Sequence, residues 1–67
     1  MNEEYINKLN DKHSELVHKR QEIESIIDLL KSSNEIVASS KMQVIPYLEG
    51  YSEGIKDTLE WLNRIIP

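Results

Sequence analysis

Residues 44–66 read VIPYLEGYSEGIKDTLEWLNRII, and this stretch decides the fold. At 100° per residue, Val44, Leu48, Tyr51, Ile55, Leu59, Leu62 and Ile66 fall on one stripe of a helix. Glu49, Glu53, Lys56, Glu60 and Arg64 take the opposite face. The segment is therefore an amphipathic helix over about 44–66. Pro46 fits its first turn, where a missing N–H is tolerated. A helix beginning near Ser33 would instead have to pass through Pro46. Glu60 and Arg64 have the spacing of a favourable i,i+4 pair.

Working towards the N-terminus, residues 2 to about 31 form a second and longer helix. Asn2 is a suitable N-cap, and Glu3 and Glu4 stand where the helix dipole favours negative charge. Ile6, Leu9, Leu16, Ile23, Ile27 and Leu30 alternate at three- and four-residue steps, which is heptad spacing. With Leu9, Leu16, Ile23 and Leu30 at d, the a positions are Ile6, His13, Arg20 and Ile27. His13 and Arg20 are thus polar seam residues, suited to specifying register or to meeting a carboxylate. Glu24 lies one turn beyond Arg20 as an i,i+4 partner. Near the end of the helix, Ile23, Ile26, Ile27, Leu29 and Leu30 point around most of the circumference. The expectation is burial on several sides, against the second helix and a neighbouring subunit.

Between these helices, residues 32–43 read as a connector. Ser32 and Glu35 have capping-box spacing, which favours a short helical turn within it. Unstructured loops of this length are uncommon.

Gly50 and Gly54 lie four apart inside the second helix, with Tyr47, Thr58 and Trp61 on the same side. A mid-helix glycine costs about 1 kcal/mol relative to alanine. Two of them imply a tight contact, either with bulky side chains of the first helix or with another chain. Tyr47 and Trp61 flank the stripe, as half-buried edge residues or as binding anchors.

Chemistry is not legible. His13 and His18, five apart, point about 140° from each other and do not share a metal. Glu15 and His18 have the spacing of an ordinary surface pair. No serine sits in a nucleophile-elbow context, and no glycine-rich phosphate loop is present. The expectation is a protein with no catalytic residue, metal, cofactor or small-molecule substrate.

Composition narrows the classes further. The chain has 67 residues, no cysteine and a formal net charge of −4. Disulfides and cysteine-based zinc sites are excluded. No basic stripe is available to neutralise phosphates, so nucleic acid is not an expected partner. An acidic mimic of nucleic acid is disfavoured too, because Lys56 and Arg64 break the Glu49/Glu53/Glu60 face. No apolar run reaches the roughly 20 residues of a membrane span, and the acidic start does not resemble a signal peptide. The expected setting is cytoplasmic, and the Ile-, Lys-, Asn-rich usage suits a bacterial or phage accessory protein.

The expected fold is all-α, an antiparallel two-helix hairpin forming a single domain over 1–67. A chain this short buries only about 60% of its unfolded surface. Its apolar surplus at Ile26, Leu29, Ile36, Ile45, Trp61 and Ile65 predicts a homodimer arranged as a four-helix bundle. The expected function is a non-enzymatic protein–protein interaction module, self-associating and regulating or inhibiting a larger protein. Its contact residues would be Tyr47, Gly50, Gly54, Trp61, Ile26 and Leu29. The alternative is a purely structural, self-assembling bundle or adaptor.

Overall fold

The computed structural model describes residues 2–67. They form two antiparallel helices, α1 (Glu3–Ser32) and α2 (Ala38–Ile65). The fold is the expected all-α hairpin, about 50 Å long and 14 by 11 Å across its other axes.

The ends of α1 follow from local chemistry. The Asn2 side chain accepts the Glu4 N–H at 2.7 Å, which satisfies one of the free donors of the first turn. Glu3 and Glu4 occupy that turn, and Lys31 stands in the last one. At the C-terminal end the Ser33 N–H donates to the Leu29 carbonyl at 3.0 Å. The Ser32 hydroxyl donates to the Asp28 carbonyl at 2.9 Å, and Ser33 then turns extended.

The connector is shorter than the sequence pattern predicts. It spans 33–37 rather than 32–43, and α2 begins at Ala38 rather than near residue 44. Ser32 does not open a capping box. Instead the Ser33 hydroxyl accepts the Glu35 N–H at 3.2 Å, and the Lys41 ammonium donates to the Ser33 carbonyl. That contact ties the start of α2 to the end of α1. Pro46 consequently lies inside α2, where it removes the bond its N–H would make to the Met42 carbonyl. The Pro46 ring is exposed. The extra turns also carry Ile45 against the core.

Two matching seams hold the hairpin together. On α1 they comprise Ile6, Leu9, His13, Leu16, Arg20, Ile23, Ile27 and Leu30, all buried or half-buried. On α2 the corresponding positions are Lys41, Ile45, Leu48, Ser52, Ile55, Leu59 and Leu62, followed by Ile66. The stripe on α2 is therefore rotated from the expected one. Val44 and Tyr51 are each 42% exposed, while Ser52 is 2% exposed. The reason is the residue opposite: Arg20 on the α1 seam needs an acceptor, and a small hydroxyl fits where a tyrosine ring would hold the helices apart.

The fully apolar core is thin. Ile23, Ile27 and Ile55 are its buried members, with Leu16, Ile45, Leu48 and Leu59 packed around them. Ile26 and Leu29, expected to be enclosed, are 46% and 69% exposed in the hairpin. They lie about 100° round the helix from Ile27 and Leu30, outside the reach of α2.

Replacing Pro46 with alanine restores one backbone donor without touching the seam. Pro46→Ala is expected to stabilise the protein by about 1–3 kcal/mol, read as a higher thermal midpoint by circular dichroism at fixed protein concentration.

Candidate functional site

A polar link crosses the middle of the seam. The Arg20 Nε–H donates to the Ser52 hydroxyl at 3.2 Å, and that hydroxyl donates to Glu24 Oε1 at 2.5 Å. Ser52 thus stands between the cation and the carboxylate, joining the i,i+4 positions 20 and 24 across the helix interface. Its burial is matched by a donor and an acceptor, as a buried hydroxyl requires. His13, the other polar seam residue, is half-buried, and its Nε2 is enclosed without a hydrogen-bond partner.

This link sets the rotation of both helices and so decides what remains outside. The large apolar side chains left exposed among the described residues are Tyr5, Ile26, Leu29, Val37, Met42, Val44, Tyr47, Tyr51, Trp61 and Ile65. Eight of these ten, all but Val37 and Met42, immediately precede a seam residue in the sequence. A residue one step before a seam position lies about 100° round the helix from it. In two antiparallel right-handed helices that rotation leads to the same side of the hairpin. The ammonium of Lys19, which precedes Arg20, lies 5.6 Å from the centre of the Tyr51 ring, which precedes Ser52. That contact joins the two helices across this side.

On α2 this side carries no charged residue, and on α1 it is apolar at the ends, with Tyr5, Ile26 and Leu29 flanking Lys8, Lys12, Glu15, Lys19 and Glu22. The opposite side, made of residues that immediately follow seam positions, carries Gln21, Glu24, Asp28 and Lys31 on α1 and Glu49, Glu53, Lys56 and Glu60 on α2, with Met42 as its exposed large apolar side chain. Such one-sidedness on a small chain marks an interaction surface.

The sequence-designated residues fall into place as follows. Tyr47 and Trp61 are on the apolar face, 71% and 62% exposed, and neither is a half-buried edge residue. The Arg64 guanidinium lies over the Trp61 ring at 5.2 Å, so it stacks rather than pairing with Glu60. Gly54 lies on the same face, between Tyr51 and Thr58, and Gly50 lies one turn before it on the outer flank. A Cβ built on either glycine would meet nothing within 4 Å. Neither glycine makes room for a side chain of α1. Ile26 and Leu29 share the face with Tyr47 and Trp61, whereas His13 and Arg20 belong to the seam.

Sequence reasoning missed Ser52 and turned Val44 and Tyr51 inward, whereas both are exposed. The signal was the strict three-four alternation of Lys41, Ile45, Leu48, Ser52, Ile55, Leu59, Leu62 and Ile66, obscured because Lys41 and Ser52 are polar.

Compared with known families, characterised proteins and solved structures, the chain has no significant match. What it does must be argued from its own surface. No helix of the described residues is long and apolar enough to cross a membrane.

Ser52→Ala leaves Arg20 without its acceptor and is expected to cost about 1–2 kcal/mol in a denaturant titration. The pair Arg20→Met with Ser52→Ala leaves only the exposed Glu24 carboxylate, which water hydrates, and is expected to recover most of that loss. Gly50→Ala, with open space around it, is expected to add about 0.5–1 kcal/mol by helix propensity alone.

Proposed function

We propose that this protein is a non-enzymatic protein–protein interaction module that acts through the apolar face of its hairpin. It associates with itself, and its role is to regulate or inhibit a larger protein. The observation that carries this reading is that eight of the ten exposed large apolar side chains lie on one side of the hairpin. Tyr47 and Trp61 have the chemistry of anchors, being large and rigid with a polar edge. Arg64 lies over the Trp61 ring and Lys19 over the neighbouring Tyr51 ring, while Tyr47 and Trp61 stay mostly exposed.

The thin core supports the same reading. Three isoleucines form the buried apolar centre of a 67-residue chain, and small domains with so little burial gain stability from a partner.

Site-specific photocrosslinking in cells tests the proposal. A photoreactive aromatic amino acid in place of Trp61 is expected to form adducts with protein, while the same group in place of Glu53 on the polar side forms few. Equal yields from the two positions, or none from position 61, would overturn it.

A further inference from the structure

The apolar face is self-complementary, and we propose that its occupant is a second copy of this chain, laid face to face with α1 antiparallel to α1 and α2 antiparallel to α2. The inference rests on the interaction reading above and specifies its first partner, symmetry and register.

Charge carries the first step. Along α1, the face-forming positions preceding each seam residue run Tyr5, Lys8, Lys12, Glu15, Lys19, Glu22, Ile26, Leu29. Reversed about Val17, this series matches itself. Lys12 meets Glu22 of the second copy, and Glu15 meets its Lys19, so the symmetry gives four opposite-charge pairs. Further out, the aliphatic stem of Lys8 covers Ile26, and Tyr5 covers Leu29. A two-fold interface requires this property, because each patch must complement its own copy.

The second helix reaches the same answer independently. Its face positions run Val44, Tyr47, Tyr51, Gly54, Thr58, Trp61, Ile65. Reversed about Gly54, Tyr47 meets Trp61, Val44 meets Ile65, and Tyr51 meets Thr58. Gly54 falls on the axis, where the absence of a side chain lets the two helices approach.

The two centres lie near one level. Lys19 lies against Tyr51 and Arg20 against Ser52, whose hydroxyl also reaches Glu24, and counting back along the antiparallel helices from these contacts places Val17 within about one turn of Gly54. A single two-fold axis, lying across the hairpin at that level, therefore serves both helices. The competing stack, α1 over α2 of the second copy, would set Lys12, Glu15, Lys19 and Glu22 against an α2 face with no charged residue.

The hairpin is a narrow rod of 50 × 14 × 11 Å that exposes 5232 Å², more than the roughly 4400 Å² of a compact monomer of its mass, so one long side is free to receive a partner.

Sedimentation equilibrium on charge-sorted variants tests the register. The all-acid variant Lys12→Glu/Lys19→Glu and the all-base variant Glu15→Lys/Glu22→Lys change exposed positions only. Each alone is expected to dimerise about tenfold or more weakly than the wild type, since four opposed pairs become like-charged. Mixed in equal amounts, they are expected to regain wild-type affinity. Lys31→Glu/Lys56→Glu, on the polar side and equal in net charge to the all-acid variant, is expected to leave dimerisation unchanged. Wild-type affinity in both sorted variants alone, or equal weakening by the polar-side control, would overturn the register.

A second measurement needs no variant. Carbodiimide crosslinking of mixed isotope-labelled and unlabelled wild-type chains is expected to yield mixed-isotope peptides joining Lys12 to Glu22 and Lys19 to Glu15. Mixed-isotope links from these lysines to α2 alone would overturn it. A wild-type monomer at every concentration, together with Trp61 adducts to a larger protein, would sink the two-fold dimer and leave the interaction reading standing. Absence of any Trp61 adduct would sink both.

Discussion

The hydrogen-bonded link from Arg20 through Ser52 to Glu24 is the constraint on which the rest of the structure depends. A guanidinium on a helix seam demands an acceptor, and leaving it unpaired costs more than a well-made bond returns. Isoleucine and leucine seams alone tolerate sliding and rotation, because dispersion and apolar burial are not directional. The polar link removes that freedom. It selects Ser52 over Tyr51 as the inward residue of α2 and sets which residues of the two helices stand level.

The composition of the exposed face follows from that choice of rotation. Turning Ser52 inward turns Tyr51 outward, and with it Val44, Tyr47, Trp61 and Ile65. On α1 the same geometry leaves Ile26 and Leu29 beside them. The result is a molecule whose buried apolar centre is three isoleucines, while several of its largest apolar side chains lie on one face. A hairpin of this kind has reached the limit of what two helices enclose. Further burial requires a third and fourth helix, and the self-matching order of charges along α1 makes a second copy suited to supply them.

Much of this was legible in residues 2–66 read as a string. Asn2, Glu3 and Glu4 announce the start of α1 by local capping chemistry, and the structure has that cap. The heptad of α1 is complete in the sequence, polar positions included. The boundary of α2 was not legible, because Pro46 reads locally as a first-turn residue. The contact of Lys41 with the Ser33 carbonyl and the packing of Ile45 stabilise helix on its N-terminal side, and neither contact has a local signature. Gly50 and Gly54 left two readings open, and the open space around both removes the one in which they accommodate α1.

By itself the sequence determined two amphipathic helices, the heptad and N-terminal cap of α1, and a set of apolar residues outside that heptad. Helix formation and amphipathic periodicity depend on residues within a few positions of one another, so a linear chain displays them. Only the tertiary structure decided which of two adjacent stripes on α2 faces inward. Tyr51 and Ser52 are both compatible with a helix, and their difference appears only when Arg20, 32 residues away, is brought opposite and asks for an acceptor. With that rotation settled, the surplus became a single face with a definite order of charges and rings.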